Sequence, residues 1–307
     1  MDFLIGWIAI IPNYATPLVL ASLGLIICER AGILNLGAEG LMAVGAMSAA
    51  IAVLSGGNPW AALVIGAGSA MALAFLFGVA TVVLRADQTL SGLAVVAIGL
   101  GLTGVVGRSH VQKTFVGIPN LGDLFALERD TALSRFVAVQ DPITLALPVV
   151  VGLLWWWLMR SRSGLRLRAV GENPAAADVA GVDVQIVQLG AVLASGLLCG
   201  LAGAYLSVAT SHVWVEGMVA SRGWVAVALV IFARWNPARA LVGALVFGSA
   251  DALVPRLQAV GADIPVYLMM TLPYLLTLLV LVVGSISGRR SGEPAFLGRI
   301  YLRQDKH

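Results

Sequence analysis

Glu29, Arg30, Asn35 and Glu39 put two carboxylates, a guanidinium and a carboxamide into twelve residues, Glu29-Arg30-Ala-Gly32-Ile-Leu-Asn35-Leu-Gly37-Ala-Glu39-Gly40, between long apolar stretches. Residues 3–28 and 40–84 carry no charge at all. Ionisable groups at membrane depth cost several kcal/mol unless they face a bundle interior, water or a partner, so this cluster is a functional candidate by default. A short loop resting its charges at the headgroups is the competing reading. Elsewhere the polar chemistry is thin. Asp251 is the sole reasonable acid for an ion-coupled carrier, and His212 with Ser207 or Ser211 is a conceivable but weakly supported hydrolytic dyad.

Several chemistries are absent from the chain. The only lysines, Lys113 and Lys306, follow no glycine-rich phosphate loop, and there is no zinc-binding His-Glu-x-x-His helix and no Gly-x-Ser-x-Gly turn. The expectation is a chain with no catalytic residue, no metal and no ATPase site of its own. Cys28 and Cys199 sit in apolar runs and read as small buried hydrophobes.

The elements that must hold this cluster follow from composition. Of 307 residues 59% are hydrophobic and 11% charged, and mean hydropathy is +0.94, which excludes an ordinary soluble domain. Mostly apolar stretches long enough to span or nearly span a bilayer recur about nine times, at 3–28, 37–55, 60–84, 90–107, 142–159, 184–208, 218–234, 238–254 and 264–287. The fold class is all-α, a polytopic helix bundle, because open strands cannot cross lipid. The start lacks a basic region, so no cleavable signal is expected. Pro12 and Pro17 point to a kinked or amphipathic first segment, and Gly56-Gly57-Asn58-Pro59 to a turn. Glycine faces at Gly99, Gly101, Gly104 and Gly107, and at Gly196, Gly200 and Gly203, read as close helix packing.

Basic residues give the orientation. If the loop Arg160-Ser-Arg162-Ser-Gly-Leu-Arg166-Leu-Arg168 is cytoplasmic, 13 of the 19 Arg and Lys residues fall on that side, as the positive-inside rule requires. The chain then divides into a transmembrane domain, 1–288, and a cytoplasmic basic tail, 289–307. Residues 108–141 form an external segment, with His110, Lys113, Asp123, Glu128, Arg129, Asp130 and Arg135 on a solvated face. Trp155-Trp156-Trp157 reads as an interfacial anchor.

A cytoplasmic segment, 160–183, carries a short helix with clear boundaries. Asn173 suits the cap, Pro174 the first helical position, and Gly181 a left-handed stop. About two turns of helix are marginal alone, so docking must hold them. The surface offered is Ala176, Ala177, Val179 and Ala180. A partner groove and a passive linker are equal readings of these residues.

Four stretches carry a family resemblance: Cys28–Leu41, Asp87-Gln-Thr-Leu-Ser-Gly92, Gly171–Val182 and Arg222–Pro237. In order and over nearly the whole chain, they resemble the permease subunit of bacterial ABC importers for branched-chain amino acids, simple sugars and nucleosides. The likeness is greatest to nucleoside permeases, a group also named for simple sugars. It implies that 172–181 is a coupling helix resting in a separate cytoplasmic ATPase, which binds ATP-Mg, so this chain needs no cofactor. Coupling would fall to Glu172, Asn173, Pro174, Ala176, Ala177, Asp178 and Gly181, and gating to Glu29, Arg30, Gly32, Asn35, Gly37, Glu39 and Gly40.

The other partners implied are a second homologous permease, an extracytoplasmic substrate-binding protein and the bilayer, with no nucleic acid. The location implied is the bacterial inner membrane, with the C-terminus cytoplasmic. Relatives often carry Gly-Arg-Gly-Phe and Phe-Gly-x-Trp-x-Pro where this chain has Ser221-Arg222-Gly223-Trp224 and Phe232-Ala233-Arg234-Trp235-Asn236-Pro237, so two glycines are replaced. A solute with ribose hydroxyls and a base needs hydrogen-bonding groups and an aromatic face, for which Asn35, Glu39, Glu216, Arg222 and Trp224 are the path candidates. The alternatives are a simple sugar as solute, or an ion-coupled carrier.

Overall fold

Asn58, Asp87, Asp141, Ser161, Asn173 and Asp183 each turn a side-chain oxygen onto a free amide at the start of a helix, at 2.8–3.0 Å. Each such cap is worth about 1 kcal/mol and fixes where an apolar run begins. The computed structural model describes residues 2–126, 131–259, 271, 275, 278, 282 and 292–301. The described residues form the α-helices α1 (Asp2–Arg30), α2 (Ala38–Leu54), α3 (Pro59–Gly78), α4 (Gln88–Val106), α5 (Leu121–Phe125), α6 (Ala132–Val139), α7 (Pro142–Arg160), α8 (Arg162–Glu172), α9 (Pro174–Val179), α10 (Val184–Tyr205), α11 (Arg222–Ala233) and α12 (Pro237–Ala259).

Among the described residues, six segments are long and apolar enough to cross a bilayer: Phe3–Arg30, Pro59–Val83, Gln88–Val106, Pro142–Arg160, Val184–Ser211 and Pro237–Gln258. The apolar α2 and α11 are shorter. Eight of the nine expected stretches are therefore helical, and the ninth, 264–287, falls almost wholly outside the described residues. At the centre, α10 packs against α1, α2 and α3, and α1 also packs against α12. Glycines of both faces lie at helix contacts, Gly200 on Ala70 and Gly66, Gly203 on the Met42 carbonyl and Gly99 of α4 on Gly40 of α2, whereas Gly101 faces open space.

Helix α1 continues through Pro12 and Pro17, packed against α10 and α12. One local expectation is corrected. The Arg-rich segment is not a loop but the helix α8. Ser161 caps it, and Gly164, Leu167 and Val170 turn one stripe inward while Arg162 and Arg166 face out.

The segment 108–141 folds as short elements: a 3₁₀ turn at Arg108–His110, then α5 and α6. It is tied to the bundle by an antiparallel bridge, Thr114 to Val213, flanked by Gln112 N donating to Trp214 O at 2.9 Å and Phe115 N to His212 O at 3.1 Å. Lys113, Asp123 and Arg135 are exposed and His110 is half-buried, while Glu128, Arg129 and Asp130 lie outside the described residues. Asp141, at the end of the segment, is unlike those residues. It is buried, and one carboxylate oxygen accepts the Thr144 hydroxyl at 2.9 Å and the Tyr205 hydroxyl at 2.5 Å. Thr144 in turn bonds Thr16 at 2.9 Å, so α1, α7 and α10 are pinned together at this end.

Candidate coupling site and solute path

The chain between α1 and α2 is not helical, and its backbone groups must bond elsewhere. Those bonds, the close packing of Gly171 and the side chains of Glu29, Arg30 and Glu39 together bring all four signature stretches into contact. Gln88, buried at the start of α4, accepts the Leu34 amide at 2.7 Å and donates to the Arg299 carbonyl at 3.2 Å. Gln188 of α10 donates to the Ala31 carbonyl at 3.3 Å. Gly171, at the end of α8, lies flush on the Arg30 carbonyl and the Gly32 amide, where any Cβ would collide. Gly32 itself stands at φ 88°.

Glu29 and Arg30 do not pair with each other, as adjacent charges at a surface would. Both bind Trp235 instead. The Glu29 carboxylate accepts the indole Nε1–H at 2.5 Å, and the Arg30 guanidinium donates to the Trp235 carbonyl at 3.1 and 3.2 Å. Glu29 is 2% exposed, and its other oxygen has no hydrogen-bond partner among the described residues.

Asn35 and Glu39 are committed to architecture. Asn35 is fully buried, donates to Ser195 Oγ at 3.1 Å and accepts the Gly37 amide at 2.9 Å, which closes the turn into α2. Gly40 lets α2 approach the α4 backbone at Val95 and Val96. Glu39 accepts the amides of Ser221 at 2.9 Å and Gly223 at 2.8 Å. These are the free donors at the start of α11, whose positive end favours a carboxylate. Twelve residues make α11 ~18 Å long, too short to cross, so it begins inside the bundle with Glu39 as its cap. Ser221, where relatives often carry glycine, keeps the left-handed conformation at φ 65° and is fixed there by Glu39. Ala233 is a buried residue of the last helical turn.

The remaining path candidates divide. Arg222 forms an ion pair with Asp251 of α12 at 3.3 Å, so Asp251 is not a solitary intramembrane acid. Trp224 and Glu216 are exposed, Glu216 beside Gly104 of α4. His212 and Ser207 form no dyad: the Ser207 hydroxyl donates to the Ala46 carbonyl at 2.8 Å.

Helix α9 has the boundaries its sequence suggests. Asn173 Oδ1 accepts the Ala176 amide at 3.0 Å, Pro174 opens the helix, and Gly181 stops it at φ 82°. Its outward face differs from expectation at one residue. Ala177 is buried against Val170 and Val184, and Pro174 is buried too, whereas Asn173, Ala176, Val179 and Ala180 are exposed, Val179 at 83%. Two turns of helix are held by turning Ala177 inward, which leaves its neighbours to face out. Glu172 accepts the Ala295 amide at 3.2 Å and Asp178 the Tyr301 hydroxyl at 3.1 Å.

Sequence reasoning assigned no role to Gln88, Trp235, or the segment 292–301. Gln88 and Trp235 lie within signature stretches, and that was the available signal. The tail offered none beyond its charge.

Among solved structures, the chain resembles a transporter described as of metal-chelate ABC type in an inward-facing conformation, with TM-score 0.51, 17% identity and coverage of 90% of this chain and 85% of that one. That likeness gives the fold. TsgC13 of Haloferax volcanii, an ABC transporter permease protein provisionally named for glucose, is 39% identical over 99% of both chains. The nucleoside ABC transporter permease protein NupC of Lactococcus lactis is 35% identical over 87% of this chain and 88% of its own length. The guanosine ABC transporter permease protein NupQ of Bacillus subtilis is 32% identical over 94% of both. The family model for the branched-chain amino acid transport system permease component matches residues 8–281, and the chain belongs to this family of multi-pass ABC transporter permeases.

Proposed function

We propose that this permease imports a nucleoside or a closely related small polar solute, driven by a separate ATPase that docks on residues 172–181. The observation that carries the coupling half is the outward face of α9, Ala176, Val179 and Ala180, on a helix that follows directly on α8, whose Gly171 is packed onto the Arg30–Gly32 turn. A push on α9 reaches that turn, and from there Trp235 and Glu39 at the two ends of α11. ATP-Mg belongs to the ATPase, and this chain contributes no catalytic group. A second permease completes the passage, a binding protein delivers solute at the face bearing 108–141, and the C-terminus lies in the cytoplasm of a bacterial inner membrane.

Nucleoside is favoured as solute because two of the three relatives described above are named for nucleosides. Trp224 and Glu216 are the candidates left open to meet it, while Asn35, Glu39 and Arg222 act on the path by shaping α2 and α11. A sugar is the second reading, supported by the glucose name of the 39% identical relative. Proteoliposomes carrying the complete importer and internal ATP test the choice. Labelled guanosine should accumulate and excess glucose should not compete; accumulation of glucose in place of guanosine overturns the nucleoside reading.

A further inference from the structure

Residues 292–301 cross the same end of the bundle as α9 and bind each part of the coupling site. Phe296 N donates to the Gly171 carbonyl at 3.0 Å and Gly298 N to the Gly32 carbonyl at 3.2 Å. The Ala295 amide reaches Glu172, and the Tyr301 hydroxyl reaches Asp178 on the inner side of α9. The Arg299 carbonyl takes the amide of Gln88, whose oxygen holds Leu34. Leu297 packs on the main apolar core, and Tyr301 packs on the small cluster of Val170, Ala177 and Val184. Phe296 and Tyr301 meet edge to face at 6.4 Å.

Without these residues, α9 would reach the signature turn mainly through Gly171 of the preceding α8. Glycine against backbone gives close approach but little area, and a two-turn helix has little stability of its own. With them, five hydrogen bonds from one ten-residue segment tie α8, α9, the 31–34 turn and the start of α4 together. A lever transmits force only if its root is rigid, and packed elements with a fixed arrangement are what carry coupling between sites.

We infer that residues 292–301 are a strap that makes α9 and the Gly32 turn move as one body, so that ATPase motion reaches the gate rather than being lost in α9. Tyr301 and Gln88 are its positioning residues. This deepens the coupling half of the proposed function and rests on it, but not on which solute is carried.

Two measurements on the complete importer test the strap. The first is hydrogen exchange at Phe296 and Gly298, compared between nucleotide-free and vanadate-trapped complexes, which needs no solute. Protection within about twofold in both states is expected, and loss of protection by more than about tenfold on trapping overturns the one-body inference. The second is guanosine uptake per ATP hydrolysed, for a chain ending at Ser291 and for Tyr301→Phe. The ratio should fall by about fivefold on truncation and about twofold in Tyr301→Phe, with co-purification of the ATPase retained. An unchanged ratio in both variants overturns the inference, and if the truncated chain does not assemble, Tyr301→Phe decides alone. Intact importer that takes up no guanosine counts against the nucleoside reading, and the exchange measurement still judges the strap.

Discussion

Glu39 accepts the Gly223 amide at 2.8 Å across 184 positions of sequence, so the second carboxylate of the signature stretch is the N-terminal cap of a helix that starts inside the bundle. Its other oxygen holds Ser221 in a left-handed conformation. A carboxylate there satisfies two donors and the positive end of α11 at once.

Glu39→Ala leaves both amides buried without acceptors and should destabilise the protein by about 3 kcal/mol. Glu39→Gln keeps the shape but points an NH2 group at one donor and should cost about half as much. Thermal unfolding of purified protein reads the cost. Uptake per inserted molecule should fall in the same order, and equal uptake by all three proteins would remove Glu39 from the account.

Among the described residues, Trp235 is the partner of one buried Glu29 oxygen and the other oxygen has none, so Trp235→Phe leaves the carboxylate unbonded there. An uncompensated buried carboxylate costs about 3 kcal/mol, and an apolar replacement of the acid relieves it. Trp235→Phe should therefore lower expression and melting temperature, and the double variant with Glu29→Leu should recover most of the loss. Additive losses in the double variant would show that the two side chains do not act as a pair.

Arg222 and Asp251 face each other at about one-fifth exposure each. Partly exposed pairs are worth about 1 kcal/mol, so Asp251→Asn should reduce uptake only about threefold. Exchanging the two residues should restore part of it. Uptake by either protein should stop on ATP depletion and survive an uncoupler. Loss of uptake with the uncoupler would assign Asp251 a proton-carrying role instead.

Much of the fold is legible in the chain because bilayer length and helix caps leave few choices. Of the eight helical stretches that the structure describes, four start at the capping side chains Asn58, Asp87, Asp141 and Asp183, and Asn173 with Gly181 bounds α9. Arg160–Arg168 reads as a loop because its charges hide a short inward stripe, Gly164, Leu167, Val170 and Gly171, that runs past the charged run. The partners of Glu29 and Glu39 are not legible, since they lie 206 and 184 positions away, and sequence order carries no signal for such pairs. Ala177 illustrates the limit at short range. Four small residues in a two-turn helix look alike in sequence, and only packing on Val170 and Val184 decides which one turns inward.

Cysteine crosslinking on α9 tests the coupling claim most directly, and the native Cys28 and Cys199 are buried and so stay silent. In membranes containing the assembled importer, Val179→Cys and Ala176→Cys should crosslink to the ATPase, and Ala177→Cys should not. Absence of any crosslink at Val179 and Ala176, in complexes that still transport, would contradict the account.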